Sequence, residues 1–503
     1  MTRDLTAPAI IMAIAVYLLW GTFLSHDISW YLISTGWWLD GVRIYSEILE
    51  LNPPLAFYLT AIPVWAARVT GLDPTATYKG FVLVLTAGSL IISQRLLTSE
   101  ASLSTSARRA VLAVAAVGLL LLPIGDFGQR DHLFSILFLP FLVMNLLSKD
   151  APRPVRAGVA MWATFGIALK HYFLLLPLAI LAYQVIARRS LRPAFKVEYL
   201  VMAAMLVLYV AATVILHPAY FASVVPLAMQ VYGAFDVSFL VTLVRARFLI
   251  LVLLIALALL VVNRARPRSN VVAVLTGSAA IAVFLIQSKG WSYQHIPANL
   301  YVVVAVIWTA VTLSQTRKQW WPTAMAAVSV MLLLVPALRH GPYQSPFAEA
   351  VEPYFTCAPG ERSFQIFSST VSTGFPLANY ANATPANRAP TLWLFPGANY
   401  RLSLIKDPAE QAIYLATLKE ARSRVLADFF RTSPQVVIVD ESPHKQYFNG
   451  APFDYLAYFS KDQEFAEAWH KYSLKGKVGN FAIYARKGCD LPDHHGAHRS
   501  VAS

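Results

Sequence analysis

Apolar stretches about as long as a bilayer is thick recur near 7–24, 79–96, 109–123, 132–147, 156–170, 172–187, 197–216, 245–262, 269–287, 298–315 and 320–338. A helix needs about 20 apolar residues to cross the hydrocarbon, and a series of such runs fits no soluble fold. Composition agrees: 57% of the 503 residues are hydrophobic and 14% are charged, against about 25% charged in a soluble domain. The net charge of +14 is spread over short loops instead of one patch, which argues against nucleic-acid binding. The first run, from Ala7 to Leu24, shows no small-residue cleavage site and is expected to remain as a helix.

The basic residues fall in alternate connections: Arg95, Arg108 and Arg109; Lys149, Arg153 and Arg156; Arg188, Arg189, Arg192 and Lys196; Arg264, Arg266 and Arg268; Arg317 and Lys318. That bias marks cytoplasmic loops, so 25–53, 124–131, 217–244 and 288–297 are expected outside. The alternation closes only if the weaker run 54–70 does not span. It begins at paired prolines, contains Pro63 and carries Arg68, and is read as an amphipathic helix lying at the outer surface. The expectation is a polytopic α-helical membrane protein of about eleven spans over 1–338, N-terminus inside, with a first outer loop at 25–78.

Past Arg339 the character changes. "PQVVIVDES" reads as a buried strand, "GNFAIYARKG" as a second, and "AEQAIYLATLKEARSRVLADFF" has helical spacing. Residues 339–503 are therefore expected to form a soluble α/β domain on the outer face. Its two cysteines, Cys357 and Cys489, are the only ones in the chain. In an oxidising compartment they are read as a disulfide, with two unpaired core thiols as the alternative.

With this topology, ionisable groups gather on one side. The first outer loop holds His26, Asp27, Arg43, Glu47 and Glu50; "GDFGQRDHLF" adds Arg130, Asp131 and His132. Lys170 and His171 interrupt about thirty apolar residues, where charge is costly. "QSKGWSYQHIP" supplies Lys289, Tyr293 and His295, and Arg245 opens a span. A cavity of carboxylates and cations at the membrane surface suits an anionic, lipid-linked substrate and a hydroxyl acceptor. Plainer readings stand beside this one. Asp27 caps a helix; Trp30, Tyr31, Trp37 and Trp38 form an interfacial belt; Arg130 and Asp131 are a local ion pair; His132 packs; Arg43 and Arg245 meet lipid phosphates.

The arrangement resembles the GT-C superfamily of integral membrane glycosyltransferases, in plan close to bacterial protein O-mannosyltransferases and aminoarabinose transferases. Asp27 after the first span, the series Gly41, Tyr45, Pro53, Pro54 and Tyr58, Arg130-Asp131 opening a span, and Lys170 between short helices carry the resemblance. It covers roughly residues 1–338. It implies transfer of a hexose or pentose from a polyprenyl-phosphate donor to a hydroxyl of a glycan, lipid or protein. The reaction would take place on the outer face of a bacterial plasma membrane, with inversion. Asp27 is then the base, and Arg130, Lys170, His171, Lys289 and Arg245 hold the donor phosphate. His26, Glu47, Asp131, His132, Tyr293 and His295 support the site on its acceptor side. Asp131 with Asp27 or Glu47 offers oxygen ligands for Mg²⁺ or Mn²⁺. His26 and His132 depart from the family pattern and bear on metal use. A transporter or flippase of a lipid-linked or anionic solute is the rival reading; it would show repeated halves and mid-membrane polar sites, and the sequence has no internal repeat.

Overall fold

The structure, a computed structural model, describes residues 2–263, 267–355 and 362–487. Arg264, Arg266 and the cysteine pair Cys357 and Cys489 lie outside the described residues. The chain forms two compact units. The first draws on Met1–Thr22, Asn52–Leu216 and Val237–Tyr343; the second on Phe23–Leu51, His217–Asp236 and Gln344–Ser503. The boundary near 338 thus falls at 343, and 23–51 and 217–236 group with the C-terminal part.

The first unit is helical, and each of the eleven apolar runs is a helix. Among the described residues, Pro74–Thr98, His171–Arg188, Val197–Leu216, Arg268–Gln287, Ser292–Arg317 and Trp321–His340 are long and apolar enough to cross a membrane. The other runs form helices of 14 to 17 residues: Thr6–Leu19, Thr105–Leu120, Arg130–Leu146, Arg153–Ile167 and Arg247–Val262. Leu55–Thr70 is a helix too; its exposed residues are Ile62, Trp65, Arg68, Val69 and Thr70.

The Arg130–Leu146 helix lies at the centre, with every residue buried. Small residues let its neighbours approach. A Cβ on Gly166 would stand 3.1 Å from the Phe134 backbone, and one on Gly277 3.2 Å from the Tyr301 carbonyl. Polar groups inside the bundle pair across helices: Gln184 donates to Asn145 Oδ1 at 2.8 Å, and Asn270 to Thr312 Oγ1 at 2.9 Å.

Contacts sort the connections of this unit to two ends. At one, Arg109 meets Asp4 at 2.9 Å, Ser148 donates to Glu100, Arg156 Nε meets Glu198 at 2.8 Å and Lys196 meets Asp150 at 2.8 Å. The basic loops around Arg109, Arg156 and Lys196 therefore lie together, their cations partly matched by acids whose pairing has no sequence signature. The loops around 131, 170 and 287–294 come together at another place, where Lys170 and its partners meet.

The second unit carries a five-stranded sheet in the order β2-β1-β3-β5-β4, built from β1 (Ser363–Phe367), β2 (Thr384–Pro385), β3 (Val436–Asp440), β4 (Tyr472–Val478) and β5 (Phe481–Arg486). β1 pairs parallel with β2 and β3; β5 runs antiparallel to β3 and β4. The strand and helix expectations hold for β3, β5 and Pro408–Thr432. β3 is buried throughout, hence its unbroken apolar run.

Residues 23–51 belong to this fold. Trp30 donates from Nε1 to Glu50 at 2.7 Å and packs edge-on against Phe375. Trp30 and Tyr31 are 2% exposed, so these two are core residues and not an interfacial belt. Residues 217–236 dock through Val231, whose Cβ lies where a side chain on Gly397 would begin.

Candidate functional site

Lys170 owes its position to a break in the apolar chain. The Arg153–Ile167 helix ends, Lys170 takes an extended backbone, and a single 3-10 turn, His171–Leu174, leads into Leu175–Arg188. Its ammonium, with the residue 8% exposed, lies 2.6 Å from Asp131 Oδ2. Asp131 sits in the first turn of Arg130–Leu146, where the helix dipole favours an acid. It is fully buried, and its Oδ1 has no hydrogen-bond partner.

Two glutamines and a tyrosine complete this cluster. Gln287, the last residue of its helix, brings Oε1 to 3.5 Å from Lys170 Nζ and accepts from Gln294 Nε2 at 3.2 Å. The ring of Tyr293 lies under the Lys170 ammonium, 4.8 Å from nitrogen to centroid, within cation–π range. The sequence reading includes Lys170, Asp131 and Tyr293 but misses both glutamines; the signal available was a lone amide closing the apolar run "IAVFLIQ".

The remaining expectations divide. Arg130 is buried at the start of the same helix. Lys289 is buried in the tight turn after Gln287, where Ser288 and Gly290 take positive φ. Arg245 donates to the Gly290 carbonyl at 2.6 Å. His295 stacks on Phe284 and donates from Nδ1 to Ser292 O at 3.2 Å. His171 is exposed, and its ring meets that of Tyr172 at a tilt of 38° with centroids 3.9 Å apart. His132 accepts from Gly128 N–H at 2.9 Å and donates to Leu119 O at 2.6 Å. Both ring nitrogens are used, so His132 ties a turn to a helix end and drops out as a substrate ligand.

Three candidates belong to the second unit. Asp27 lies in the first turn of His26–Leu39, with Ser25 at the cap position. His26 Nε2 is 3.6 Å from its carboxylate. Glu47 lies between Arg43, at 3.2 Å, and Arg388, at 2.7 Å. The Arg43 backbone N–H, joined by both guanidiniums, outweighs the burial that opposes it and holds the Glu47 carboxyl below the usual carboxylate range.

Asp131 and Glu47 already carry cationic partners, and among the described residues no three His, Cys, Asp or Glu side chains gather as metal ligands would.

No protein family matches the sequence, and no curated protein matches it either. Among solved structures, ArnT from Cupriavidus metallidurans, an aminoarabinose transferase, is similar in fold. Bound to undecaprenyl phosphate, it aligns with a TM-score of 0.52 at 13% identity, covering 96% of this chain and 97% of that one. Its apo form gives 0.53 at 14%, covering 95% and 96%. The apo oligosaccharyltransferase of Archaeoglobus fulgidus aligns at 0.49 with 13% identity, covering 97% of this chain and 75% of that one. The chain thus shares its fold with ArnT over nearly its whole length.

Proposed function

We propose that this chain is a multi-pass membrane glycosyltransferase that moves a sugar from a polyprenyl-phosphate donor to an acceptor hydroxyl on the outer face of a bacterial plasma membrane. One observation carries the reading: a fold shared over nearly its whole length with a protein crystallised with undecaprenyl phosphate has a buried cation, Lys170, at a break in its apolar helices. A buried ammonium flanked by an aromatic face and amide groups suits a phosphate that gains charge as its bond to the sugar breaks.

The step is a single displacement. The acceptor oxygen forms a bond to the anomeric carbon as the bond from that carbon to the phosphate oxygen breaks, and the electron pair leaves with the phosphate. Asp27 takes the hydroxyl proton. Lys170 stabilises the departing phosphate, with Arg130, Lys289 and Arg245 as further cations. Asp131 holds Lys170 extended before the donor arrives; the departing phosphate, which gains a second negative charge as its bond to the sugar breaks, then competes for the same ammonium. Inversion follows from having one displacement. Mg²⁺ or Mn²⁺ has no part in this scheme.

The experiment is reconstitution in liposomes with a radiolabelled polyprenyl-phosphate sugar. Consumption of donor with release of polyprenyl phosphate, and no movement of solute across the bilayer, supports the reading. Solute uptake without donor cleavage would sink it and make the chain a transporter.

A further inference from the structure

The second unit contains a pocket of about 300 Å³ that the proposed transfer step does not use. It lies between the Pro408–Thr432 helix and the segment that follows β2, with Ser46 and Glu47 at its edge. Its volume is at the lower end of small-molecule sites. Leu392, Phe395 and Val425 give it an apolar floor, and Asn387 and Thr391 add hydrogen-bonding groups.

Charge distinguishes it. Arg388, Arg424 and Arg431 line it against two acids, Glu47 and Asp428. Arg424, Asp428 and Arg431 recur at helical spacing and therefore share one face. Each guanidinium is paired: Arg388 with Glu47 at 2.7 Å, Arg424 with Glu420 at 3.0 Å, Arg431 with Asp428 at 2.8 Å. The Arg424 and Arg431 side chains are 41% and 44% exposed. Exposed pairs of this kind are weak, so an incoming oxyanion exchanges for them at little cost. Guanidinium forks match carboxylates in two parallel hydrogen bonds. An apolar floor beside hydroxyl and amide groups takes a sugar ring, whose CH face is apolar and whose edge carries hydroxyls.

We infer that this pocket binds an acidic oligosaccharide, one whose sugar rings carry carboxylates, and that it is the recognition site for the acceptor chain. The acceptor role rests on the proposed transferase; the binding chemistry does not. A pocket built from the first outer stretch and the C-terminal domain also explains why 23–51 folds with the latter.

The test is calorimetric titration of the full chain in detergent with trigalacturonate, beside maltotriose, triglutamate and inorganic phosphate. Trigalacturonate should bind saturably, and Arg424→Gln and Arg431→Gln, both at exposed side chains, should each weaken it about tenfold, the effect of losing one charge-assisted pair. Maltotriose should bind at least about tenfold more weakly, since it lacks the carboxylates. Absence of saturable binding, or binding that neither substitution changes, overturns the inference. Equal affinity for triglutamate or phosphate also overturns it, pointing to an acidic peptide or a bare anion site. Binding is read without turnover, so intact binding beside absent donor cleavage removes the transferase reading alone, and cleavage without binding removes this one alone.

Discussion

Lys170 Nζ and Asp131 Oδ2 stand 2.6 Å apart, from residues 39 positions distant, in a place where neither has much access to water. A pair of this kind is a constraint before it is a stabiliser. Removing one partner strands a charge at a cost of about 3–5 kcal/mol, whereas replacing both with apolar groups is often neutral. Asp131→Leu should therefore lower the unfolding midpoint in detergent markedly, and Asp131→Leu with Lys170→Met should recover most of the loss. Donor cleavage should stay lost in the double variant. Recovery of cleavage would show that Lys170 acts only in the fold.

Asp27 is the candidate base of the proposed step. Ser25 takes the cap position, and the charge of Asp27 in the first turn, beside His26 Nε2 at 3.6 Å, is worth about 0.3–1 kcal/mol to the helix. Asp27→Asn should leave the unfolding midpoint within a few degrees of wild type while single-turnover sugar transfer falls by about two to four orders of magnitude, the usual yield of a general base. Transfer close to wild type would take Asp27 out of the proposed step.

The two sites show what a sequence can and cannot disclose. Lys170 is legible because a charge inside a long apolar stretch has few explanations, and β3 is legible because a fully buried strand is an unbroken apolar run. The basic loops around Arg109, Arg156 and Lys196 do meet one another, because each carries acids or hydroxyls that pair with its neighbours. That pairing is not legible: nothing in the sequence joins Asp4 to Arg109, or Glu47 to Arg388. His132 has the composition of a ligand and the role of a brace. Trp30 looks like an interfacial anchor yet is buried because Glu50 accepts from its indole and Phe375 covers it. β1 and β4 escape notice because one holds a buried glutamine, Gln365, and the other alternates too weakly to stand out.

Gly290 makes a steric prediction. Its φ of +63° is a conformation that side chains rarely adopt, and a Cβ there would stand 2.5 Å from Arg245 Nη1. Gly290→Ala should cost about 1–2 kcal/mol from backbone strain alone and displace Arg245 from the Gly290 carbonyl. Arg245→Ala relieves the clash, so combining the two substitutions should cost less than the sum of each, as a double-mutant cycle on unfolding midpoints would reveal. Simple additivity would mean that the turn moves as a whole and Arg245 does not brace it.

Glu100 yields a dependence on pH at the opposite set of loops. It lies just after the Pro74–Thr98 helix, and burial favours its neutral form. Four donors outweigh that: Ser102 Oγ at 2.6 Å, Ser102 N–H at 3.2 Å, Ser148 N–H at 2.5 Å and Ser148 Oγ at 3.0 Å. The net effect lowers its pKa. A carboxyl lowered in the folded state contributes stability that is fully present above its unfolded pKa, about 4.3, and is lost as pH falls through the lower folded value. The unfolding midpoint of the wild type should thus fall on acidification below about pH 4.3. Glu100→Gln keeps one acceptor oxygen but removes the proton uptake, so its midpoint should start lower at neutral pH and fall less steeply on acidification. Parallel curves for the two proteins would show that Glu100 holds no charge that the Ser102 and Ser148 loops depend on.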